Sequence, residues 1–346
     1  MKAHLLTIGD ELLIGQTTNT NAAWLGERLS LLGVEVARSV TVGDDPAAMA
    51  QELDRAYEDA RLVVLTGGLG PTHDDVTREV VADYFNAPLQ TDEALLDRVR
   101  RYYERRNRQM PSSAPQLAQV PEGFETVDNP VGAAVGLWHA DGDRLLAVLP
   151  GIPEEMKAIF DSGVQPRLEA QPDLQDVSHR TLVTAGIGET SLQERLGDLS
   201  PWLGEDLHLA YLPSTSGVRL RLTSAAGTEA GLDELEAVIR ERAGEHVIGT
   251  EGATLEAVLG DQLRTAGRTI ASAESATGGL IGHRLTNVSG SSDYFEGAVV
   301  AYANRVKQAV LGVEADAIQS YGAVSEAVAV QMAEGVRAAV GTDVGI

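Results

Sequence analysis

Three short stretches of this sequence bring glycines and carboxylates together: Gly9-Asp10-Glu11, Gly43-Asp44-Asp45 and Thr66-Gly67-Gly68-Leu69-Gly70-Pro71-Thr72-His73-Asp74-Asp75. Asp44, Asp74 and Asp75 offer hard oxygen donors of the type that hold Mg²⁺ or Mn²⁺ against phosphate oxygens, and His73 adds a softer ligand. A metal held there can activate water and neutralise charge, which is the chemistry of pyrophosphate hydrolysis. Gly9, Asp10, Glu11, Gly67, Gly68, Gly70 and Thr72 are the accompanying substrate contacts. The glycines admit close backbone approach, and a following helix N-terminus offers unpaired N–H groups to a phosphate. The plainer reading of the third stretch is a tight turn with Asp74 or Asp75 as a helix cap.

A second chemistry lies towards the other end of the chain. Ser275 follows a short apolar run and opens an expected helix, which exposes its hydroxyl and aims backbone N–H groups at an incoming oxygen. Most serines so placed are only caps. Lys307 lies 32 residues further on, five after Tyr302. Serine and lysine can act as nucleophile and base without histidine, provided desolvation lowers the lysine pKa.

These residues need a scaffold. Apolar and helical patterns alternate as Ala3 to Ile8, Asn21 to Leu32, Val34 to Val42, Pro46 to Ala60 and Leu62 to Thr66, a βαβαβ order that predicts a parallel sheet. Ligands of such sheets collect at the carboxyl ends of the strands, where all three acidic stretches fall. Helical Val76 to Phe85, a long polar stretch, a hairpin about Asp141-Gly142 and a helix from Pro153 to about Phe160 complete a domain over residues 1–164. The polar segment Gln165 to Asp176, with two prolines, predicts a linker. Residues 177–250 read as a small α+β module with a hairpin from Leu207 to Leu222. Residues 254–346 read as a third, α/β unit that opens with a helix from Thr254 to Ala266. Asp343-Val344-Gly345-Ile346 looks like a strand with no turn or partner after it, so sheet edges and apolar faces are expected to be exposed.

Composition narrows the function classes. The 27 basic and 51 acidic residues give a net charge of −24, which repels a phosphate backbone at long range and argues against nucleic-acid binding. No apolar run approaches the roughly 18 residues of a membrane helix, and the first residues leave no room for a signal peptide, so a cytoplasmic protein without membrane association is expected. Cysteine is absent, which removes disulfides and thiolate sites. Arg98, Arg100, Arg101, Arg105, Arg106 and Arg108 form a basic run whose plainest reading is a solvated helix face. Its functional reading is a subunit contact or the rim of a phosphate site.

Several motifs together resemble the CinA (competence/damage-inducible protein A) family. Thr7 to Gln16, Asn19-Thr20-Asn21, Val42 to Asp45, Thr66 to Asp75, Asn129-Pro130-Val131-Gly132 and Leu149 to Glu155 resemble its amino-terminal domain, which is similar to the MoaB/MogA molybdopterin-binding fold. The resemblance implies a three-layer α/β domain with a mostly parallel sheet and acidic positions at Asp44 and Asp75. It further implies ADP-ribose pyrophosphatase activity with Mg²⁺, Mn²⁺ or Co²⁺, alongside a monovalent cation. The chain departs from the family at Gln116-Leu117-Ala118, where a basic residue followed by Gln-Ala is usual. Gly186-Ile187-Gly188-Glu189 resembles the loop of a KH-like domain, here implying a spacer or dimerisation module in a homodimer.

Ala273 to Gly279, Gly290 to Phe295 and Tyr302 to Lys307 resemble the PncC-type nicotinamide mononucleotide amidase domain. By that resemblance Ser275 attacks the nicotinamide carbonyl, Lys307 is the general base and Tyr302 orients the pair by hydrogen bonding. Thr277, Gly278 and Gly279 line the oxyanion or phosphate region. In the family the last strand runs on into a further glycine-rich segment, so an incomplete amidase domain with weak or absent deamidation is expected. ADP-ribose and nicotinamide mononucleotide are the implied small-molecule partners. The alternative is a noncatalytic scaffold that binds a nucleotide or pterin.

Overall fold

A computed structural model describes residues 1–174, 177–204, 206–214, 217–225 and 229–346. The chain divides into a first unit, Met1–Ser178, and a second comprising His179–Thr223 and Glu229–Ile346. The first unit begins with β1 (Lys2–Ile8), α1 (Asp10–Leu13), α2 (Thr20–Leu31), β2 (Glu35–Val42), α3 (Pro46–Ala56), β3 (Leu62–Thr66) and α4 (Thr77–Tyr84). It continues through β4 (Leu89–Thr91), α5 (Glu93–Arg105), β5 (Gln119–Pro121), β6 (Glu125–Val127), β7 (Gly136–Asp141), β8 (Arg144–Leu149), α6 (Pro153–Ile159) and α7 (Gln165–Glu169).

Six strands form one sheet in the order β2-β1-β3-β8-β7-β6. β2, β1, β3 and β8 run parallel, while β7 and β6 continue as antiparallel neighbours. β3 is buried along its whole length, as a strand covered on both faces must be. Its side chains alternate between two cores. Leu5, Leu62, Val64 and Leu145 pack with Leu25 and Leu29 of α2 and Met156 and Ile159 of α6. Leu6, Val63, Leu65 and Leu146 pack with Met49 and Leu53 of α3 and Val80 and Val81 of α4. This is the three-layer, mostly parallel architecture anticipated from the alternation of apolar runs.

The polar stretch after Phe85 contains α5, a 13-residue helix that buries only Leu95, Leu96 and Val99, begins where Asp92 accepts the N–H of Leu95 at 3.0 Å, and carries the first part of the basic run as the expected helix face. One expectation is corrected here. The expected linker starts too early. Pro166 stands in α7, which continues directly from a π-helical stretch at Phe160–Val164, and Leu168 is buried in the core beneath α2 and α6. The end of that segment, Gln175 and Asp176, lies outside the described residues, as does the expected hairpin tip at 215–216.

The second unit carries two sheets. β9 (Val177–Thr184), α8 (Glu189–Leu196), β10 (Leu207–Ser214), β11 (Gly217–Ala225), α9 (Glu229–Ala243) and β12 (Val247–Thr250) form a sheet of order β10-β11-β9-β12 backed by the two helices. Leu182, Leu192, Leu220, Leu235 and Ile239 make its core.

After it come α10 (Leu255–Ala266), β13 (Ile270–Glu274), α11 (Leu280–Thr286), β14 (Phe295–Val300), α12 (Asn304–Leu311), α13 (Ala315–Tyr321), α14 (Glu326–Val340) and β15 (Val344–Gly345). Their parallel sheet has the order β14-β13-β15. One face packs on Leu311, Val328 and Val336, the other on Leu263 and Leu285. The last strand pairs on one side with β13, Val344 with Ile270 and Gly345 with Ala271, the Ile346 N–H donates to the Ala271 carbonyl at 3.0 Å, and its other side is an open sheet edge among the described residues, as expected. Apolar side chains do stand in the open in this region, with Val324 98% exposed and Val330 51%. Among the described residues, no helix is long and apolar enough to cross a membrane.

Candidate functional sites

The carboxyl ends of β1, β3 and β8 open into a cavity of about 460 Å³, lined by Gly9, Glu11, Asp44, Gly67, Gly68, Gly70, Asp74 and Asp75 together with Tyr102, Tyr103 and Glu155. Glycine is required on the turn after β3. Gly67 and Gly68 adopt φ of 114° and 64°, and a Cβ on either would lie 2.3 Å from the Ile8 carbonyl oxygen or the Thr77 hydroxyl.

The three acidic stretches do meet, but their carboxylates divide the work. Asp10 and Asp44 are reciprocal partners: the Asp10 N–H donates to Asp44 Oδ2 at 3.1 Å and the Asp44 N–H to Asp10 Oδ1 at 3.3 Å. Asp10 therefore ties the first two loops together and does not line the cavity. Burial pushes the Asp44 carboxyl above its usual range, and the nearby charges of Asp10, Glu11 and Asp74 push the same way against the Asp10 N–H.

Asp75 accepts the Thr72 N–H at 2.9 Å and also the Thr72 hydroxyl, so it closes a turn. Neither Asp74 nor Asp75 caps a helix, because α4 begins only at Thr77 and has no side-chain cap. Thr72 is exposed outside the cavity wall, and the His73 side chain is 99% exposed, 3.7 Å from Asp74. Among the described residues, no three His, Asp or Glu side chains are gathered closely enough to hold a metal.

Glu155, within the Leu149 to Glu155 segment, is a further carboxylate of this cavity. It stands in the first turn of α6, just past the end of β8, and burial raises its pKa although Asn129 Nδ2 donates to it at 2.6 Å. The strand-end argument applied to β8 would have found it.

The second site is built at the ends of β13 and β14. Lys307, on α12, is 1% exposed, and its Nζ lies 2.7 Å from Ser275 Oγ. The same nitrogen donates to the Ala301 carbonyl at 2.5 Å and, at 3.5 Å, to that of Tyr302. Nζ thus donates to two carbonyls and to Ser275 Oγ, and loss of one of its three protons would leave a lone pair directed at the Ser275 hydroxyl. No carboxylate pairs with Lys307 among the described residues, and burial alone pushes its pKa down.

Tyr302 contributes its backbone carbonyl. Its side chain is 77% exposed and makes no hydrogen bond to Ser275 or Lys307 among the described residues, so the expected orienting phenol is corrected.

Ser275 is not a helix cap. Residues 275–279 form a bend and turn, and α11 starts at Leu280. The N–H groups at that start are taken by a residue the sequence reading passed over. The buried Glu274 carboxylate accepts from Gly279 at 2.9 Å, Ile281 at 3.0 Å and Gly282 at 2.8 Å. Burial opposes ionisation of Glu274, but these donors and the hydroxyls of Thr277 and Ser272 outweigh it and hold its pKa below the usual value. Gly279 is thus unavailable to an oxyanion, and the Gly278 N–H closes the turn onto the Ser275 carbonyl at 3.1 Å. Thr277 and Gly278 stay exposed beside Ser275. The N–H groups of Ala276 and Thr277 have no intramolecular partner among the described residues.

Comparison with known proteins fits this division. Residues 4–170 match the family model described as "Probable molybdopterin binding domain", 179–249 that of "Damage-inducible protein CinA KH domain" and 252–346 that of "CinA C-terminal domain". A CinA-like protein of Salinibacter ruber is 72% identical over 350 residues, covering 100% of this chain and 85% of that protein. The chain belongs to the CinA family. A CinA-like protein of Gemmatimonas aurantiaca is 41% identical over 354 residues, with 100% and 82% coverage. The crystal structure of the protein CinA from Thermoplasma acidophilum is 34% identical and covers 48% of this chain and 97% of its own, with a TM-score of 0.45. Within the CinA family, then, this chain carries a molybdopterin-binding-like first domain and a Ser275–Lys307 pair in its CinA C-terminal domain.

Proposed function

We propose that this chain is a hydrolase of pyridine-nucleotide breakdown products with two sites, an amidohydrolase at Ser275 and a metal-dependent ADP-ribose pyrophosphatase at the acidic cavity. The observation that carries the reading is the buried Lys307 amine 2.7 Å from Ser275 Oγ. Lys307 takes the hydroxyl proton as Oγ attacks the carboxamide carbon of a nicotinamide nucleotide, and the carbonyl oxygen gains the negative charge beside the N–H groups of Ala276 and Thr277. Collapse breaks the C–N bond, and Lys307 returns the proton to the departing ammonia. Water then attacks the acyl-serine, giving nicotinic acid mononucleotide and free Ser275. The dyad is assembled by described residues of the chain, which supports amide chemistry at Ser275.

The pyrophosphatase reading rests on the donor set of the acidic cavity. Mg²⁺-type ions are usually held by one or two carboxylates plus substrate phosphate oxygens, so a protein cage of three ligands is not required. Asp44 and Asp74 would hold such an ion, and Asp75 is withdrawn by its bonds to Thr72. The ion would supply neutralisation of pyrophosphate charge; Glu11 and Glu155 of the chain itself are the groups placed to orient or activate water. The enzyme is further proposed to work as a cytoplasmic homodimer on free nucleotides.

The test is ammonia release from nicotinamide mononucleotide and AMP release from ADP-ribose with Mg²⁺, Mn²⁺ or Co²⁺. Both products are expected, with Ser275→Ala abolishing only the first. Nucleotide binding without either product sinks the catalytic reading in favour of a nucleotide- or pterin-binding scaffold.

A further inference from the structure

In a chain of net charge −24, arginines have acidic partners in excess, and Arg28, Arg55, Arg61, Arg167 and Arg180 are paired with them. The amino-terminal unit contains an exception. Arg98, Arg101, Arg105 and Arg106 wall a cavity of about 390 Å³ whose opposite side is the loop Asn129 to Gly132. Arg98, Arg101 and Arg105 are spaced by three and four residues, so α5 presents them on one face.

The walls are fixed. Arg98 bonds to the Asp128 carboxylate and the Asn129 carbonyl, joining helix to loop. Buried Asn129 holds the loop by accepting from Val131 at 3.0 Å and Gly132 at 2.8 Å, which spends those N–H groups internally. The Arg106 guanidinium lies 3.8 Å over the ring centre of Tyr102. Arg101 and Arg105 remain, with no ion pair or side-chain hydrogen bond among the described residues. Two unspent guanidinium groups on exposed side chains therefore line this cavity, opposite a loop whose Val131 and Gly132 N–H groups are already taken.

We propose that this cavity binds a phosphoryl group, mono- or diphosphate, carried by a ligand that extends from the neighbouring acidic cavity. Planar forks match phosphate oxygens in pairs. Tyr102 lines both cavities, and the charge of Arg106 reaches Glu155 in the acidic one, lowering its pKa against the effect of burial. The overall negative field excludes polyanions, so a small phosphorylated molecule is the fitting occupant. The inference rests on the acidic cavity being a nucleotide site, but the phosphate contact can be read without turnover.

The probe is inorganic pyrophosphate, titrated calorimetrically into the full chain. Arg101→Gln/Arg105→Gln is expected to weaken binding at least ~10-fold, since charge-assisted hydrogen bonds are lost. Arg100→Gln/Arg108→Gln removes the same charge from the same segment outside the cavity wall and is expected to stay within about twofold, because exposed charges are screened. Equal losses in the two variants, no loss in the first, or no binding by the unmodified chain would overturn the proposal. Should the first variant fail to fold, Arg101→Lys/Arg105→Lys keeps the charge and loses the forks, with a loss of several-fold expected and no loss overturning the proposal. If pyrophosphate binding discriminates as expected while ADP-ribose is not cleaved, the phosphate site stands and the pyrophosphatase reading fails.

Discussion

The acidic cavity and the Ser275–Lys307 site both lie at carboxyl ends of parallel strands, yet they hold their charge in opposite ways. The acidic cavity collects Glu11, Asp44, Asp74 and Glu155, and burial raises the pKa of Asp44 and Glu155. Like charges so placed favour the uptake of a proton or, on the proposed reading, of a cation. At the other site a single amine is buried without a counter-charge among the described residues, burial pushes its pKa down, and its nitrogen bonds two carbonyls and a hydroxyl of the chain itself. The difference teaches that the first site gathers like charges that its own residues leave unneutralised, whereas at the second the chain's own carbonyls and hydroxyl surround the one ionisable group.

Three substitutions probe that contrast, in order of expected effect. Lys307→Met removes the base and should cut amide hydrolysis by ~10² to 10⁴, with ADP-ribose cleavage intact; ammonia assays check it. Asp44→Asn should weaken Mn²⁺ binding by roughly 10-fold or more by calorimetry, with ammonia release unchanged. In the unmodified chain, metal affinity should begin to fall at a higher pH than for a carboxyl of ordinary pKa 3.8, because the Asp44 value is raised and its protonation competes with the ion. If Asp44→Asn also abolished ammonia release, the two sites would not be independent.

Glu274→Gln sharpens the comparison from the other side. An amide cannot receive the N–H groups of Gly279, Ile281 and Gly282 as the carboxylate does, so unfolding stability should drop by about 1–3 kcal/mol and the Ser275 loop should loosen. Because the folded pKa of Glu274 lies below the ordinary 4.5, its stabilisation is present above pH 4.5 and is lost as pH falls through the folded value. Denaturation across that acid range should therefore be flatter in the variant than in the unmodified chain.

Sequence and structure agree where burial leaves a simple pattern. β1 and β3 are sandwiched between helices and read as mostly apolar runs, so the βαβαβ order and the meeting of three acidic loops were legible. α5 was legible only as a solvated face under the arginine run, and its bounds were not, because its three buried residues are scattered among arginines that stay in water. The pairing of Ser275 with Lys307 was legible in residue type and motif, but its neighbours were not. Nothing in Ala273-Glu274-Ser275 announces that the loop folds back to wrap the Glu274 carboxylate in its own N–H groups. Likewise Asp75 reads as a ligand until Thr72 is seen to occupy it, and Tyr302 as a side chain until only its carbonyl is found to matter.

The central claim is that Lys307 sits beside Ser275 as a neutral base. It is tested most directly by carbon NMR titration of the Lys307 Cε resonance, assigned by its loss in Lys307→Arg. The account predicts a midpoint clearly below the ordinary lysine value of 10.5, moving again when Ser275 is replaced by alanine. A midpoint at the ordinary value, indifferent to Ser275, would contradict it.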